Sequence, residues 1–259
     1  MRMDALSKKM SIFGIEFDSI SYAEVLKKIV STIKESRKIS VVTPYSEIIM
    51  AAIRDESYKN VINSASIILP DGMGVIVAAR FMGMPLKDRI TGVDLSSGLI
   101  DLSSRAGYRL FFLGSRSSVL MRLSKRLLAK YPNLKLEYYA PPFRENFSDA
   151  DNDNMIERIN RFRPNILFVA FGPPKQEKWI ISNLRRLEVN VALGVGGTLD
   201  LLAGSRKRAP TIMQKCCLEW LYRLMQDPSR IRRQLVVPIF IVKTLSIVFA
   251  RKRSKECTP

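Results

Sequence analysis

The sequence contains no histidine among its 259 residues. This absence excludes histidine-based catalytic triads, histidine general acids and histidine metal ligands. It contains only three cysteines, two of them adjacent at positions 216 and 217, and these show neither zinc-ligand spacing nor a disulfide framework. Acid–base chemistry is therefore left to aspartate, glutamate, lysine, tyrosine or cysteine, and we expect a reducing compartment.

Acidic residues are few beside basic ones. The chain has 24 Asp and Glu against 42 Lys and Arg, which gives a formal net charge of +18. Such an excess predicts an anionic partner, and nucleic acid, acidic lipid and phosphorylated substrates all qualify.

Long apolar runs are also lacking. A membrane-spanning helix needs about 20 apolar residues, whereas the run 235–250 is interrupted by Pro238 and Lys243. Basic residues flank this run on both sides, which favours a segment held at an anionic membrane surface by apolar burial and charge together. An arm packed on the domain or on a second subunit is the alternative.

Short apolar runs alternate with helical periods from about residue 39. The predicted strands are residues 39–43, 66–69, 109–114, 135–139, 165–172 and 190–197. Apolar runs of this length between helices are typical of a parallel sheet buried on both faces. We predict an α/β fold with a doubly wound, mostly parallel, Rossmann-like sheet, in which one helix runs from Ser46 to Tyr58 after the first strand.

The composition changes after about residue 205. Basic clusters there alternate with a short helical pattern and with the apolar run 235–250. We therefore predict two parts, an α/β core over residues 1–205 and a basic, partly apolar helical appendage over residues 206–259 that associates with a membrane.

Polar residues follow the predicted strands where each one ends, and ligands of open α/β sheets bind outside these carboxyl ends. Asp71 follows an apolar strand and precedes glycine, so it is the best candidate for a general base. A turn aspartate at a DG step is an equally good interpretation. Gln176 and Glu177 follow the proline-rigid turn FGPPK, although an ordinary first helical turn also explains them.

An acidic cluster, DADND at residues 149–153, has the DxD spacing that some metal-dependent sugar transferases use. It lies at the start of a polar helix and not at a strand exit. We therefore favour helix capping over a metal site.

Arginines in the C-terminal segment form a second candidate set. Arg223, Arg230 and Arg233 lie at spacings of seven and three, and Pro228 is expected to divide them between two short converging helices. Arg, Lys and Arg at residues 206–208 add to the charge. Guanidinium groups bind phosphate bidentately, but a solvated basic face or a lipid-binding face remains the simpler interpretation.

Seven motifs together carry a family likeness. They are TPYSEIIMAAIRD, ILPDGMGVIVAARFMG, RITGVDL, FLGS, FVAFGPPKQEKWI, LGVGGTLDLLAGSRKRAP and LEWLYRLMQDPSRIRRQ. In this order, over about residues 12–235, they resemble the WecG/TagA/CpsF family of bacterial glycosyltransferases. The patterns GxPxQExW and VGGxxDxxxGxxxRAP are the most specific to it.

The resemblance implies an inverting, UDP-sugar-dependent hexosyltransferase of cell-surface polysaccharide synthesis. The donor sugar would be N-acetylmannosamine, its uronic acid or a related hexose, and the acceptor a sugar on a polyprenyl diphosphate. It also implies a peripheral protein at the cytoplasmic face of the membrane, and it favours a dimer or larger homo-oligomer.

The resemblance also implies roles for individual residues. Asp71 would deprotonate the acceptor hydroxyl, Arg89 would contact the acceptor phosphate, and Thr43 and Gln176 would line the pocket, with Gln176 near the donor sugar. Tyr45 stands where the family usually has asparagine, and since its ring cannot mimic an amide, a changed substrate preference is open.

The appendage arginines complete the implied site. Arg223, Arg230 and Arg233 would close over the donor diphosphate and receive its developing charge. We therefore expect a metal-independent enzyme with no cofactor, no metal ligand set and no nucleic-acid partner. A basic nucleic-acid-binding α/β module is the alternative that the net charge allows, while a Rossmann oxidoreductase would need a glycine fingerprint that DGMGVIVA does not complete.

Overall fold

The computed structural model describes residues 9–84, 86–216, 218–228, 231 and 235–256. A parallel six-stranded sheet with the order β4-β3-β8-β7-β5-β6 forms its centre. The strands of this sheet are β3 Ile39–Val42, β4 Ile67–Ile68, β5 Leu110–Gly114, β6 Leu136–Tyr139, β7 Ile166–Ala170 and β8 Val191–Gly194. A separate antiparallel hairpin, β1 Lys9–Ile12 with β2 Ile15–Asp18, precedes them and was not predicted.

Helices cover both faces of the sheet. They are α1 Tyr22–Lys34, α2 Ser46–Arg54, α3 Glu56–Asn63, α4 Met73–Phe81, α5 Gly92–Ala106, α6 Ser117–Lys130, α7 Asp149–Phe162, α8 Lys175–Asn183, α9 Thr198–Leu202, α10 Thr211–Lys215, α11 Glu219–Gln226 and α12 Val236–Glu256. Alternate strand residues enter the apolar clusters on either side, with α1, α5 and α6 on one face and α2, α3, α4, α7 and α8 on the other. The prediction of a doubly wound α/β fold is confirmed.

The helix predicted from Ser46 to Tyr58 is wrong as a single element. The chain leaves helical geometry at Asp55, whose backbone is extended. The Asp55 side chain then accepts a hydrogen bond from the backbone N–H of Tyr58 at 3.0 Å and so caps a second helix, α3. This break places Tyr58 on α3, where it is buried.

The C-terminal helix α12 packs on the core through one face. Phe240 is fully buried in the same apolar cluster as α2, α3 and α4, and its ring lies 5.4 Å from the ring of Phe13. Burial of a phenylalanine contributes about 1.5–3 kcal/mol, so this face of α12 belongs to the folded domain. The division of the chain at residue 205 stays a prediction.

The opposite face of α12 exposes apolar side chains. Leu235, just before the helix, is 49% exposed, and Ile239 and Val242 are 49% and 66% exposed. Among the described helices, none combines the length and hydropathy that crossing a membrane requires.

Candidate active site

A cavity of about 730 Å³ opens at the carboxyl ends of β3, β4, β7 and β8. Its volume lies in the range of small-molecule sites, about 300–1,000 Å³. Thr43, Asp71, Pro173 and Val195 mark the points where the four strands leave the sheet, and all of them line the cavity. The cavity therefore lies outside the carboxyl ends of four of the six parallel strands.

Asp71 is held at the start of α5. Its Oδ2 accepts a hydrogen bond from the backbone N–H of Gly92 at 3.0 Å, and its own N–H donates to the carbonyl of Pro44 at 3.2 Å. Gly92 is the first residue of a 15-residue helix, and the N-terminus of a helix stabilises a nearby negative charge. The carboxylate is therefore oriented by the backbone at the start of α5.

The chain passes very close to this carboxylate at Gly92. A Cβ atom at that position would lie 3.2 Å from Oγ1 of Thr43, 3.6 Å from Oγ1 of Thr198 and 3.7 Å from Oδ2 of Asp71. Two hydroxyl groups and a carboxylate therefore meet around the Cα atom of Gly92. We call these four residues the carboxylate wall of the cavity.

Gln176 and Glu177 begin α8, and both are buried. The Gln176 side chain accepts from the backbone N–H of Gly172 at 3.1 Å and donates to the Glu177 carboxylate at 2.7 Å. The hydroxyl of Tyr58 donates to the other Glu177 oxygen at 3.0 Å. Burial raises the pKa of Glu177. The pKa of Tyr58 is raised mainly by burial and further by the negative charge of Glu177.

Basic side chains also line the cavity, and we call them the basic wall: Arg89, Arg206, Lys207 and Arg208. Arg208 donates to both carboxylate oxygens of Asp94, at 2.6 and 2.9 Å, and these hydrogen bonds raise its pKa. Arg206 lies 3.5 Å from Asp227, and Arg89 donates to Gln214 at 3.4 Å.

The structure brings five of the eight predicted site residues to this cavity: Thr43, Tyr45, Asp71, Arg89 and Gln176. Tyr45 is half-buried beside the apolar cluster under α2. Arg223 belongs to α11, other residues of which line the cavity. Arg230 and Arg233 lie outside the described residues.

Two cavity residues, Gly92 and Thr198, were not singled out from the sequence and reach the site only through the folding of the sheet. Arg208 was noted only as part of the basic cluster at residues 206–208, and for Glu177 an ordinary first helical turn was the alternative interpretation. One local signal existed, since Thr91 and Asp94 form a capping pair whose hydrogen bonds fix the start of α5.

The acidic cluster at residues 149–153 caps a helix, which is the interpretation that the sequence favoured over a metal site. Ser148 and Asp151 form a reciprocal capping box at the start of α7, and Asp153 pairs with Arg186. Within the part of the chain that the structure describes, no group of three or more Cys, Asp or Glu side chains could hold a metal ion.

Comparisons with known proteins agree on one family. A profile of the glycosyl transferase WecG/TagA/CpsF family matches residues 10–254. Two relatives from Staphylococcus aureus, strains MW2 and NCTC 8325 / PS 47, are each 32% identical over 250 residues, which cover 96% of this chain and 95% of each relative. Both relatives are named N-acetylglucosaminyldiphosphoundecaprenol N-acetyl-beta-D-mannosaminyltransferase. The chain is thus a hexosyltransferase that belongs to the glycosyl transferase WecG/TagA/CpsF family.

Proposed function

We propose that this enzyme transfers N-acetylmannosamine from a UDP donor to N-acetylglucosamine on a polyprenyl diphosphate, with inversion, in the synthesis of a cell-surface polymer. Relatives named for this sugar and this acceptor, aligned over 96% of the chain, support the proposal. The observation that carries it is the position of Asp71, an oriented carboxylate in a cavity large enough for a nucleotide sugar.

Asp71 acts as the general base. It takes the proton of the acceptor hydroxyl while that oxygen bonds to the anomeric carbon of the donor sugar. The bond between the anomeric carbon and the diphosphate oxygen breaks, and its electron pair leaves with UDP. Attack from the face opposite to UDP inverts the anomeric configuration.

As Asp71 takes up the proton, negative charge develops on the diphosphate of the departing UDP. Positively charged groups must stabilise that charge. The basic wall lines the same cavity as Asp71 and supplies Arg206 and Lys207. Arg223, Arg230 and Arg233 complete this set in our proposal, because guanidinium groups bind phosphate oxygens bidentately. Arginines would then take the place of a divalent metal ion.

Helix α12 suits a protein whose acceptor lies in a membrane. Val237 lines the cavity, while Ile239 and Val242 are exposed on the same helix and the basic run RKRSK follows at residues 251–255. Apolar side chains and basic charge together bind anionic lipid. We propose peripheral binding to the cytoplasmic face of the membrane through α12, which would bring the acceptor diphosphate to the cavity.

A donor screen tests the proposal. The full chain is incubated with a short-chain GlcNAc-diphosphate lipid and with UDP-N-acetylmannosamine, its uronic acid or UDP-N-acetylglucosamine, with and without EDTA, and released UDP is measured. We expect the fastest release from UDP-N-acetylmannosamine and no change with EDTA. Faster release from another UDP-sugar would show that the proposed donor is wrong. Inhibition by EDTA would show that the metal-free mechanism is wrong, and no release with any donor would contradict the proposed transferase activity.

A further inference from the structure

A chain of three buried polar side chains leads from α3 to the cavity. The Tyr58 hydroxyl donates to Oε2 of Glu177 at 3.0 Å, and Nε2 of Gln176 donates to Oε1 of Glu177 at 2.7 Å. Tyr58, Gln176 and Glu177 are 1%, 4% and 3% exposed. Of these three residues, Gln176 and Glu177 line the cavity and Tyr58 lies behind them.

The carboxylate of Glu177 is an expensive group to bury at this place. Its hydrogen-bond donors are neutral: the Gln176 amide, the Tyr58 hydroxyl and its own backbone N–H. A buried charge without an oppositely charged partner costs free energy that neutral hydrogen bonds offset only in part. A contribution to folding stability therefore does not explain why residue 177 carries a hydrogen-bond acceptor.

What the carboxylate does is fix the amide of Gln176. An amide side chain can rotate by half a turn and exchange its oxygen with its nitrogen. Here the backbone N–H of Gly172 requires the oxygen on one side, at 3.1 Å, and Glu177 requires the nitrogen on the other. Each requirement excludes the flipped orientation.

The space around the amide is equally restrictive. A Cβ atom at Gly194 would lie 3.0 Å from Nε2 of Gln176, and one at Gly196 would lie 3.4 Å from its Oε1. The amide therefore lies directly against the backbone at the exit of β8. One N–H bond of Nε2 is used on Glu177, which leaves the second N–H bond to serve as a donor.

We propose that Glu177 and Tyr58 are positioning residues that hold the Gln176 amide as a hydrogen-bond donor toward the sugar of the nucleotide donor. This inference rests on the proposed function and on the place near the donor sugar that the family resemblance implies for Gln176. Glu177 touches no substrate in this account and acts only through Gln176, and Tyr58 acts only through Glu177. A preset donor costs no reorganisation when charge develops in the transition state.

The test is a double-mutant cycle in the full chain. Its four members are the parent, Tyr58→Phe/Glu177→Met, Gln176→Ala and the triple variant, each assayed for UDP release from UDP-N-acetylmannosamine and for its unfolding temperature. The Phe/Met pair removes the buried carboxylate together with the hydroxyl that donates to it, and it leaves the Gln176 amide without this acceptor. We expect removal of the buried charge to offset the lost hydrogen bonds, so that the unfolding temperature stays near that of the parent, while kcat/KM for the donor falls about tenfold, mostly through kcat.

In the Gln176→Ala background the same Phe/Met change should have no further effect on kcat/KM, because the amide that it positions is gone. Glu177→Gln keeps an acceptor for Nε2 and should stay within about threefold of the parent. Equal losses in both backgrounds, or a loss matched by a lower unfolding temperature, would overturn the positioning role.

Two further outcomes separate this inference from the proposed function. If Gln176→Ala lowers kcat/KM and the Phe/Met pair does not, the positioning role alone is wrong. If Gln176→Ala retains full kcat/KM, the sugar contact assigned to Gln176 is wrong, and the positioning role is wrong with it.

Discussion

The two walls of the cavity are built in different ways. Thr43, Asp71 and Gly92 of the carboxylate wall follow buried strands or begin a helix, so their positions derive from the core and from backbone hydrogen bonds. The basic wall is held mainly by side chains, above all by the paired hydrogen bonds between Arg208 and Asp94. In the proposed mechanism the core therefore sets the geometry of proton transfer, whereas positive charge comes mainly from residues 206–208, later in the chain.

The largest effect is expected from the packing of the C-terminal helix α12 on the core. Phe240→Ala should lower the free energy of unfolding by about 3 kcal/mol or more, because it empties a fully buried site. Val242→Ala, on the exposed face of α12, should change it by less than about 0.5 kcal/mol. Equal effects of the two changes in denaturant titrations would mean that α12 is not part of the fold.

The basic segment is tested next through its predicted arginines. Arg223→Ala or Arg230→Ala should each lower kcat about 100-fold, since each would remove a group that receives the developing charge. Arg105→Ala is the matched control, because Arg105 is exposed on α5 and pairs with Asp101. Parent-like turnover in both arginine variants would remove the role assigned to Arg223 and Arg230.

The carboxylate wall should respond to a single added methyl group. Gly92→Ala would place a carbon 3.2 Å from the Thr43 hydroxyl and 3.7 Å from the Asp71 carboxylate. We expect kcat/KM to fall about tenfold, since a small misplacement of reacting groups is costly. Ser97→Ala, at an exposed position of the same helix, serves as control, and equal kinetics of the two variants would show that the contact does not matter.

The smallest effect is expected where the basic wall joins α5. A thermal double-mutant cycle of Arg208→Gln and Asp94→Asn should give a coupling of about 1 kcal/mol, discounted because the side chains are 31% and 43% exposed. The exposed pair Arg163–Glu188 should give a value near zero. If the two pairs are equally weak, side-chain pairing does not hold the basic wall.

The sheet could be predicted from the sequence because its strands are buried on both faces. Each apolar run contains one observed strand, and the ends differ by only a few residues: the run predicted at 190–197 contains β8, Val191–Gly194, and then turns at Gly196 with a positive φ. The strand exits followed directly, which is why Asp71 and Gln176 were identified before their partners.

The partners could not be predicted, because they are distant in sequence. Tyr58 and Glu177 are 119 positions apart, and Arg208 and Asp94 are 114 positions apart. No local pattern marks such pairs, since only the order of strands in the sheet brings them together. The break at Asp55 was missed for a different reason. The helical spacing of apolar residues continues across Asp55, and only the capping hydrogen bond of its side chain separates α2 from α3.

The most direct test of the central claim is Asp71→Asn, measured as UDP released from UDP-N-acetylmannosamine in the presence of the lipid acceptor. Asparagine keeps the size of the side chain and an oxygen for the Gly92 N–H, but it accepts no proton. We predict a fall in kcat of about 1,000-fold, unchanged affinity for UDP, and parent activity in Asp153→Asn, which alters an exposed carboxylate on α7. Turnover by Asp71→Asn at the parent rate would contradict the account.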